Sequence, residues 1–373
     1  MPPFRWIPLV VGLVTAMLLC LESHAADDSG GVALREISDD FDTPVSLVAH
    51  PTKSERILVA ERSGIVLSLD TTNGKTEELV DIEDLIGSSS PRGLLGIAAR
   101  ATGTETLLFV AYVDPQGDLV VGRFVISTGK PLNEDSMTVV IKIARMAPNT
   151  LGSNLDIGPD GSLYIGTGDG EGPALPRSHT AQTPKSLLGK MIRISPKTPT
   201  GYTIPIDNPF VGQTTYHPEI WALGFRSPEA VRFDSTFGRL VVLDSNETNN
   251  EVNIVERGKN YGWDSLDGVT CIAKDCPANG FSAPTVTIKK TTAESRLVGG
   301  ITYRGARIPQ VKGHIMFAET TTGTMYAARE VPEGSWDYRE VGKAPKGAIS
   351  ALGADQNGEL FIATSIGRIF ALQ

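Results

Sequence analysis

The chain ends on Gly358-Glu359-Leu360-Phe361-Ile362-Ala363 and then Gly367-Arg368-Ile369-Phe370-Ala371-Leu372. Each run opens on a turn residue and continues as an apolar stretch of strand length, so the pair reads as a β-hairpin. Moving upstream, the same unit recurs as Gly313 to Ala318 with Gly323 to Ala328, and as Gly238 to Leu243 with Val252 to Val255. It recurs again as Gly158 to Gly166 with Lys190 to Ile194, as Thr106 to Tyr112 with Asp118 to Ile126, and as Arg56 to Ala60 with Gly64 to Leu69. Copies of one hairpin in a chain without long helical periodicity predict an all-β, six-bladed β-propeller. A small sheet cannot bury both of its faces alone, whereas sheets stacked radially bury one another and leave only short edges. A β-sandwich is the alternative, and it gives no reason to repeat one hairpin. The last copy runs into the C-terminus, so its blade needs a strand from elsewhere, and Val32 to Ile37 is free to supply it.

Ahead of that strand, Arg5 gives a positive start, Ile7 to Leu21 is almost wholly apolar, and Ser23-His24-Ala25 offers the small residues a signal peptidase reads. A signal peptide over 1–25 is expected, followed by a propeller domain over 26–373 in the periplasm or outside the cell. The apolar run is shorter than the roughly 20 residues that span a bilayer, so no transmembrane segment is expected after processing. Loss of Cys20 would leave Cys271 and Cys276, flanked by Pro277 and Gly280, which read as a loop-closing disulfide in an exported chain. The formal charge of -9 comes from 34 basic and 43 acidic residues with no basic stripe, which argues against nucleic acid as a partner. The long Gly-, Asn- and Pro-rich insertions 170–189 and 244–262 are where function is expected on a rigid scaffold.

Five runs, in order along the chain, carry a family resemblance. They are Arg92 to Ala98, Gly158 to Asp169, Ser186 to Ile194 with Asp207-Asn208-Pro209-Phe210, Glu219 to Pro228, and Glu251-Val252-Asn253 with Gly258 to Trp263. Together they resemble the soluble PQQ-dependent sugar dehydrogenases, the glucose/sorbosone or aldose sugar dehydrogenase family. The resemblance implies a six-bladed propeller that oxidises the anomeric hydroxyl of a sugar to a lactone, with hydride passing to PQQ beside a calcium ion. The cofactor carries the redox step, and the protein supplies a base, orientation and counter-charge.

Carried over residue by residue, the resemblance gives a mixed site. The family's catalytic His falls at Thr150, whose hydroxyl is not basic near neutral pH, and a positioned base is worth roughly a hundred- to ten-thousand-fold in rate. Asp169 matches the acid that orients that base. Arg226 matches a PQQ-contacting arginine, and the carbonyls of Ser245 and Asn246 match those that hold the calcium bridging PQQ. Other family contacts fall at Pro91, at Thr320-Thr321-Thr322, and at Ala348 and Ser350, all without charge. Lys346, Arg304 and Arg92 are the cations available to compensate. Glu251 and Tyr261 match a structural calcium site, where oxygen donors suit a hard cation. His50, His179, His217 and His314 match no family role and read as structural or surface residues. Trp221, Tyr261 and Trp263 could line a sugar site or belong to the core.

Three functions are open on this reading. One is a PQQ-dependent sugar dehydrogenase with a remodelled site acting on a small-molecule sugar. Another is a non-catalytic propeller whose loop face binds a glycan or a protein. The third is a calcium-dependent lactone or ester hydrolase, which would require Asp169, Glu251, Glu319 and Asn154 to converge.

Overall fold

The repeated hairpins are the middle strand pairs of six antiparallel sheets. The computed structural model describes residues 31–86, 93–103, 105–126, 132–144, 152, 154–170, 179–197, 200–234, 236–277, 279–344 and 348–373. Counting outward from the channel, blade 1 runs Pro44–Ala49, Arg56–Glu61, Ile65–Asp70 and Thr76–Asp81. Blade 2 runs Leu94–Thr102, Glu105–Val113, Leu119–Ile126 and Thr138–Ile143. Blade 3 is built on Leu155–Ile157, Leu163–Thr167 and Lys190–Pro196, with Tyr202–Thr203 and Ile220–Leu223 both pairing to the last of these. Blade 4 runs Pro228–Asp234, Arg239–Ser245, Asn249–Val255 and Val286–Lys289. Blade 5 runs Leu297–Thr302, Ile315–Glu319, Thr324–Glu330 and Trp336–Lys343.

Blade 6 contributes Ile349–Ala354, Leu360–Thr364 and Ile369–Leu372, and Leu34–Ser38 completes it from the other end of the chain. The pairing is antiparallel, with Leu34 opposite Leu372 and Glu36 opposite Phe370. The free strand expected at Val32 to Ile37 therefore closes the ring, displaced by one or two residues. Successive inner strands touch one another all the way round, from blade 1 to blade 6 and back to blade 1. Val32–Gln373 forms one compact unit. The segment expected as a signal peptide lies outside the described residues. No described helix is long and apolar enough to cross a membrane.

The apolar core is a set of seams between neighbouring blades. In the strand Arg239–Ser245, Leu240 and Val242 pack toward blade 3, whereas Val241 and Leu243 pack toward blade 5. In Arg56–Glu61, Leu58 and Ala60 face blade 2, and Ile57 and Val59 face blade 6. Successive side chains of a strand point to opposite faces, and here both faces are covered, so the second strand of each blade reads as an unbroken apolar run. Cys271 and Cys276 form the expected disulfide, with Cα atoms 6.0 Å apart.

Candidate functional site

All six inner strands leave from the same end of the channel. Residues in the first two positions of five of them (Val45, Leu94, Glu229, Val298 and Ile349) surround a cavity of about 330 Å³. Residues toward their other ends, with Ala49, Ala99, Phe233, Ile301 and Ala354 among them, border a second cavity of about 230 Å³. The first cavity is the channel mouth and the second its far end. Thr320 and Ser350, two of the positions where relatives would carry a cation, are on the wall of the mouth.

Arg226 lies on the turn ahead of blade 4, near Lys290 and Arg296 beside the mouth. Gly224 makes that turn possible: it has φ +86°, and a Cβ there would lie 2.3 Å from Asn260 Oδ1 and 2.6 Å from the Gly262 nitrogen. The close approach lets Tyr261 and Trp263 donate backbone N–H bonds to the carbonyls of Leu223 and Gly224, at 2.8 and 3.1 Å. Trp263 is thereby set under Arg226, whose guanidinium carbon lies 5.1 Å from the ring centroid. The indole Nε1 donates to Asp169 Oδ2 at 2.8 Å, and Asp169 is 1% exposed. Gly152 and Ser227 lock blade 3 to blade 4 beside them: the Gly152 N–H donates to Ser227 Oγ at 3.0 Å, and a Cβ on Gly152 would lie 2.3 Å from the Ser227 carbonyl carbon.

Lys190, from the Leu-Gly-Lys run of blade 3, holds the neighbouring insertion in place. Its Nζ donates to the carbonyls of Thr180, Ala181 and Leu188 at 2.7, 2.9 and 2.8 Å. Burial pushes this ammonium down to about 7, and the three carbonyl acceptors favour its charged form. Thr180 in turn donates its hydroxyl to the Asp169 carbonyl at 2.5 Å. The insertion and the channel acid are therefore one hydrogen-bonded unit.

The guanidinium of Arg226 does not end on a carboxylate. It donates to the Asn246 carbonyl at 2.9 Å and reaches that of Ser245 at 3.5 Å. Lys290 Nζ donates to the same Asn246 carbonyl and to Ser245 Oγ, both at 3.2 Å. Arg62 and Arg296 line the cavity from blades 1 and 5. Arg296 Nε lies 3.5 Å from Glu229 Oε1, the one carboxylate that also accepts from Ser227 Oγ, at 2.9 Å. Burial, then Arg226 and Arg296, push the Lys290 ammonium below its ordinary value, and burial and Arg296 do the same to Arg62 against the pull of Glu229.

Behind Asn246, Glu251 is 1% exposed and enclosed by amides. Its carboxylate accepts from Asn246 Nδ2 at 2.6 Å, Gly268 N–H at 2.9 Å and Asn253 Nδ2 at 3.1 Å. Burial, with Asp244 close by, pushes it well above the usual carboxylate range. The amide oxygens of Asn246 and Asn253 are both buried without a hydrogen-bond partner. Rotating each amide would turn its oxygen toward Glu251, giving the oxygen cluster that a hard cation needs. These residues fit calcium. The side chain of Tyr261, whose backbone carbonyl is what the structural calcium site would use, is fixed in the core: its hydroxyl donates to the Ile254 carbonyl at 2.8 Å and accepts the Glu256 N–H, and its ring stacks on Phe225.

The acids and amide required by the hydrolase reading have separate partners. Asp169 is bonded to Trp263, Glu251 to its amides, and Asn154 to the Glu229 carbonyl and Arg232. Glu319 is saturated by the N–H and hydroxyl groups of Thr321 and Thr322. Burial would raise its pKa, but these donors hold it down to about 2. Among the described residues no group of three or more His, Cys, Asp or Glu side chains is arranged to hold a metal.

Other expectations are redistributed. Thr150, Pro91, Arg92 and Lys346 lie outside the described residues. Arg304 goes to a separate cavity between blades 4 and 5, 2.6 Å from Asp234. Trp221 packs with Tyr164 and Arg193, and Trp263 is buried between Arg226 and Asp169, so none of the three aromatics lines the mouth cavity. His179 is closer to the site than a surface residue need be: its Nδ1 lies 2.7 Å from Asp264 Oδ2, next to Trp263, with its own side chain 67% exposed. Arg62, Lys290 and Arg296 were not singled out by sequence. Each is an isolated basic residue in a blade connection, and nothing in its local pattern signals convergence.

The arrangement implied for PQQ was tested on the two carbonyls that would hold its calcium. The Asn246 carbonyl receives both Arg226 and Lys290, and that of Ser245 faces Arg226. Protein cations take the position of the metal, so the calcium-bridged arrangement does not fit these residues.

Comparison with known proteins places this geometry. HIPL2 protein of Arabidopsis thaliana is 26% identical over 90% of this chain and 62% of its own length. Hedgehog-interacting protein of Mus musculus is 26% identical over 90% of this chain and 50% of its own. The chain thus spans between half and two thirds of these relatives. Among solved structures, the PQQ-bound form of an aldose sugar dehydrogenase from Streptomyces coelicolor superposes with a TM-score of 0.70 over 92% of this chain and 97% of that one, at 20% identity, a likeness of fold. The model of the glucose/sorbosone dehydrogenase family matches residues 41–368, nearly the whole propeller, and the chain belongs to that family.

Proposed function

We propose that this protein is an exported sugar-binding propeller that has left the dehydrogenase reaction of its family. The observation that carries the reading is the engagement of the Asn246 carbonyl by Arg226 and Lys290, where the cofactor's calcium would be held. Thr150 in place of the basic His supports it, because no alcohol can take the proton that sugar oxidation releases. Family membership supports a saccharide as ligand, and the mouth supplies the hydroxyls of Thr320, Ser350 and Ser365 and the charged groups of Arg62, Arg296, Glu229 and Glu294 to receive one. Export rests on the apolar N-terminal run and agrees with the use of a disulfide. Calcium enters this reading as a structural ion at Glu251, apart from any chemistry. The likeness to Hedgehog-interacting protein, whose name records a protein partner, makes a protein ligand on the same face the second reading.

The test is direct. Purified protein given PQQ, calcium and a panel of aldoses should reduce an artificial dye no faster than a protein-free control, and Thr150→His should not change that. Turnover by the unmodified chain would sink the proposal.

A further inference from the structure

We infer that the seam between blades 4 and 5 carries a second site, a groove on the side away from the mouth that takes a short oligosaccharide with an acidic residue at one end. The groove is separate from the channel, so the inference does not depend on what the mouth binds.

Two further cavities meet along this seam. One, of about 390 Å³, starts at Asp234 and Thr302, the far ends of two inner strands, and reaches Lys312 and His314. The other, of about 330 Å³, continues past Ser282 and Thr285. Arg239, Glu330 and Trp336 line both, so the two form one groove with room for more than one sugar ring. Strand alternation aims Arg239 into it, because Val241 and Leu243 of the same strand face blade 5. Its guanidinium meets Glu330 of blade 5 at 2.9 Å, with the two side chains 40% and 45% exposed. Arg304 meets Asp234 at 2.6 Å. The guanidinium carbons of Arg239 and Arg304 lie 5.5 and 5.1 Å from the ring centroid of Phe237, which is itself 65% exposed.

Each arginine is thus fixed by a carboxylate and an aromatic ring, and its remaining N–H donors are left for a ligand. Planar donors and acceptors held in place before binding suit sugar hydroxyls, since little ordering is left to be done. Trp336, half-buried against the seam, offers the C–H face of a sugar ring an apolar platform. Charge then sets the direction. Asp234 and Glu330 are each taken by an arginine, and the exposed Lys312 adds a cation with no ion pair among the described residues. From Tyr303 to Ala318 the chain carries Arg304, Arg307 and Lys312 and no carboxylate, in a protein of formal charge -9. A carboxylate on the ligand fits that end. The other half is lined by Glu256 and Glu330 with Ser282 and Thr285, where hydroxyls are welcome and a uniformly acidic peptide would be repelled.

Titration calorimetry on the full chain tests it with two saccharides that mix uronate and neutral rings, glucuronyl-xylotriose and a hyaluronan tetrasaccharide. Xylotetraose is the neutral control and tetraglutamate the peptide control. At least one of the two acidic saccharides should bind, about tenfold or more tighter than xylotetraose, and its affinity should fall with added salt. Lys312→Glu, Phe237→Ser and Arg239→Gln change exposed side chains, so melting temperature should hold while affinity drops about tenfold in each. Lys312→Arg should retain it. Binding that these substitutions leave unchanged would put the saccharide elsewhere, the mouth included, and overturn the inference. So would equal binding of tetraglutamate, which would make the groove a peptide site, or no binding by either acidic saccharide. The dye assay reports on the channel alone, so failure here leaves the proposed function standing.

Discussion

The two ends of the same channel treat arginine differently. At the far end Arg232 lines the cavity together with Asp156. Burial pushes Asp156 up and Arg232 down, and each opposes the shift of the other. Beside the mouth Arg226 and Lys290 stop on backbone carbonyls, and Arg62 and Arg296 share the cavity with Glu229 and Glu294. Among the described residues the far end sets an arginine beside an acid within the channel, while next to the mouth Arg226 and Lys290 are met by the Asn246 carbonyl dipole.

The sharpest way to break this contrast is to remove one cation from each end. Arg232→Met should destabilise the protein by about 3 kcal/mol in a denaturant titration, because Asn154 Oδ1 and the Val231 carbonyl lose a buried donor and Asp156 loses its nearby counter-charge. An effect under about 1 kcal/mol would show that the far end is no more neutralised than the mouth. Calcium offers an intermediate effect. At about ten times its dissociation constant it should add about 1.4 kcal/mol of stability, seen as a rise in melting temperature that Glu251→Gln abolishes. No shift in the unmodified protein would remove calcium from the Glu251 cage. The smallest effect is expected beside the mouth. Lys290→Met should change stability by less than about 1 kcal/mol, since the Asn246 carbonyl keeps Arg226 and a source of repulsion is lost. A loss comparable to that of Arg232→Met would make Lys290 a structural pillar and erase the contrast.

Legibility followed the reach of each interaction. The middle hairpins were readable because Leu58 and Val59, or Val241 and Val242, alternate between two covered faces and leave an apolar run in the chain. The loop disulfide was readable because its partners are close in sequence. The carboxylate of Glu319, with donors two and three residues away, shows the same locality, whereas the hydrolase reading requires it in a catalytic cluster. Arg226 was found through its motif, but its acceptor, the Asn246 carbonyl shared with Lys290, was not, because that contact joins chain positions twenty and more residues apart.

By itself the sequence determined the number of blades, the strand that closes the ring and the family, since these follow from periodic burial and ordered local motifs. Only the tertiary structure decided where the charge sits. Arg62, Arg226, Lys290 and Arg296 come from three different blades, and the energy of a charge depends on its distance to every other charge in space. That distance is set by the closing of the ring and has no trace in the spacing of residues along the chain.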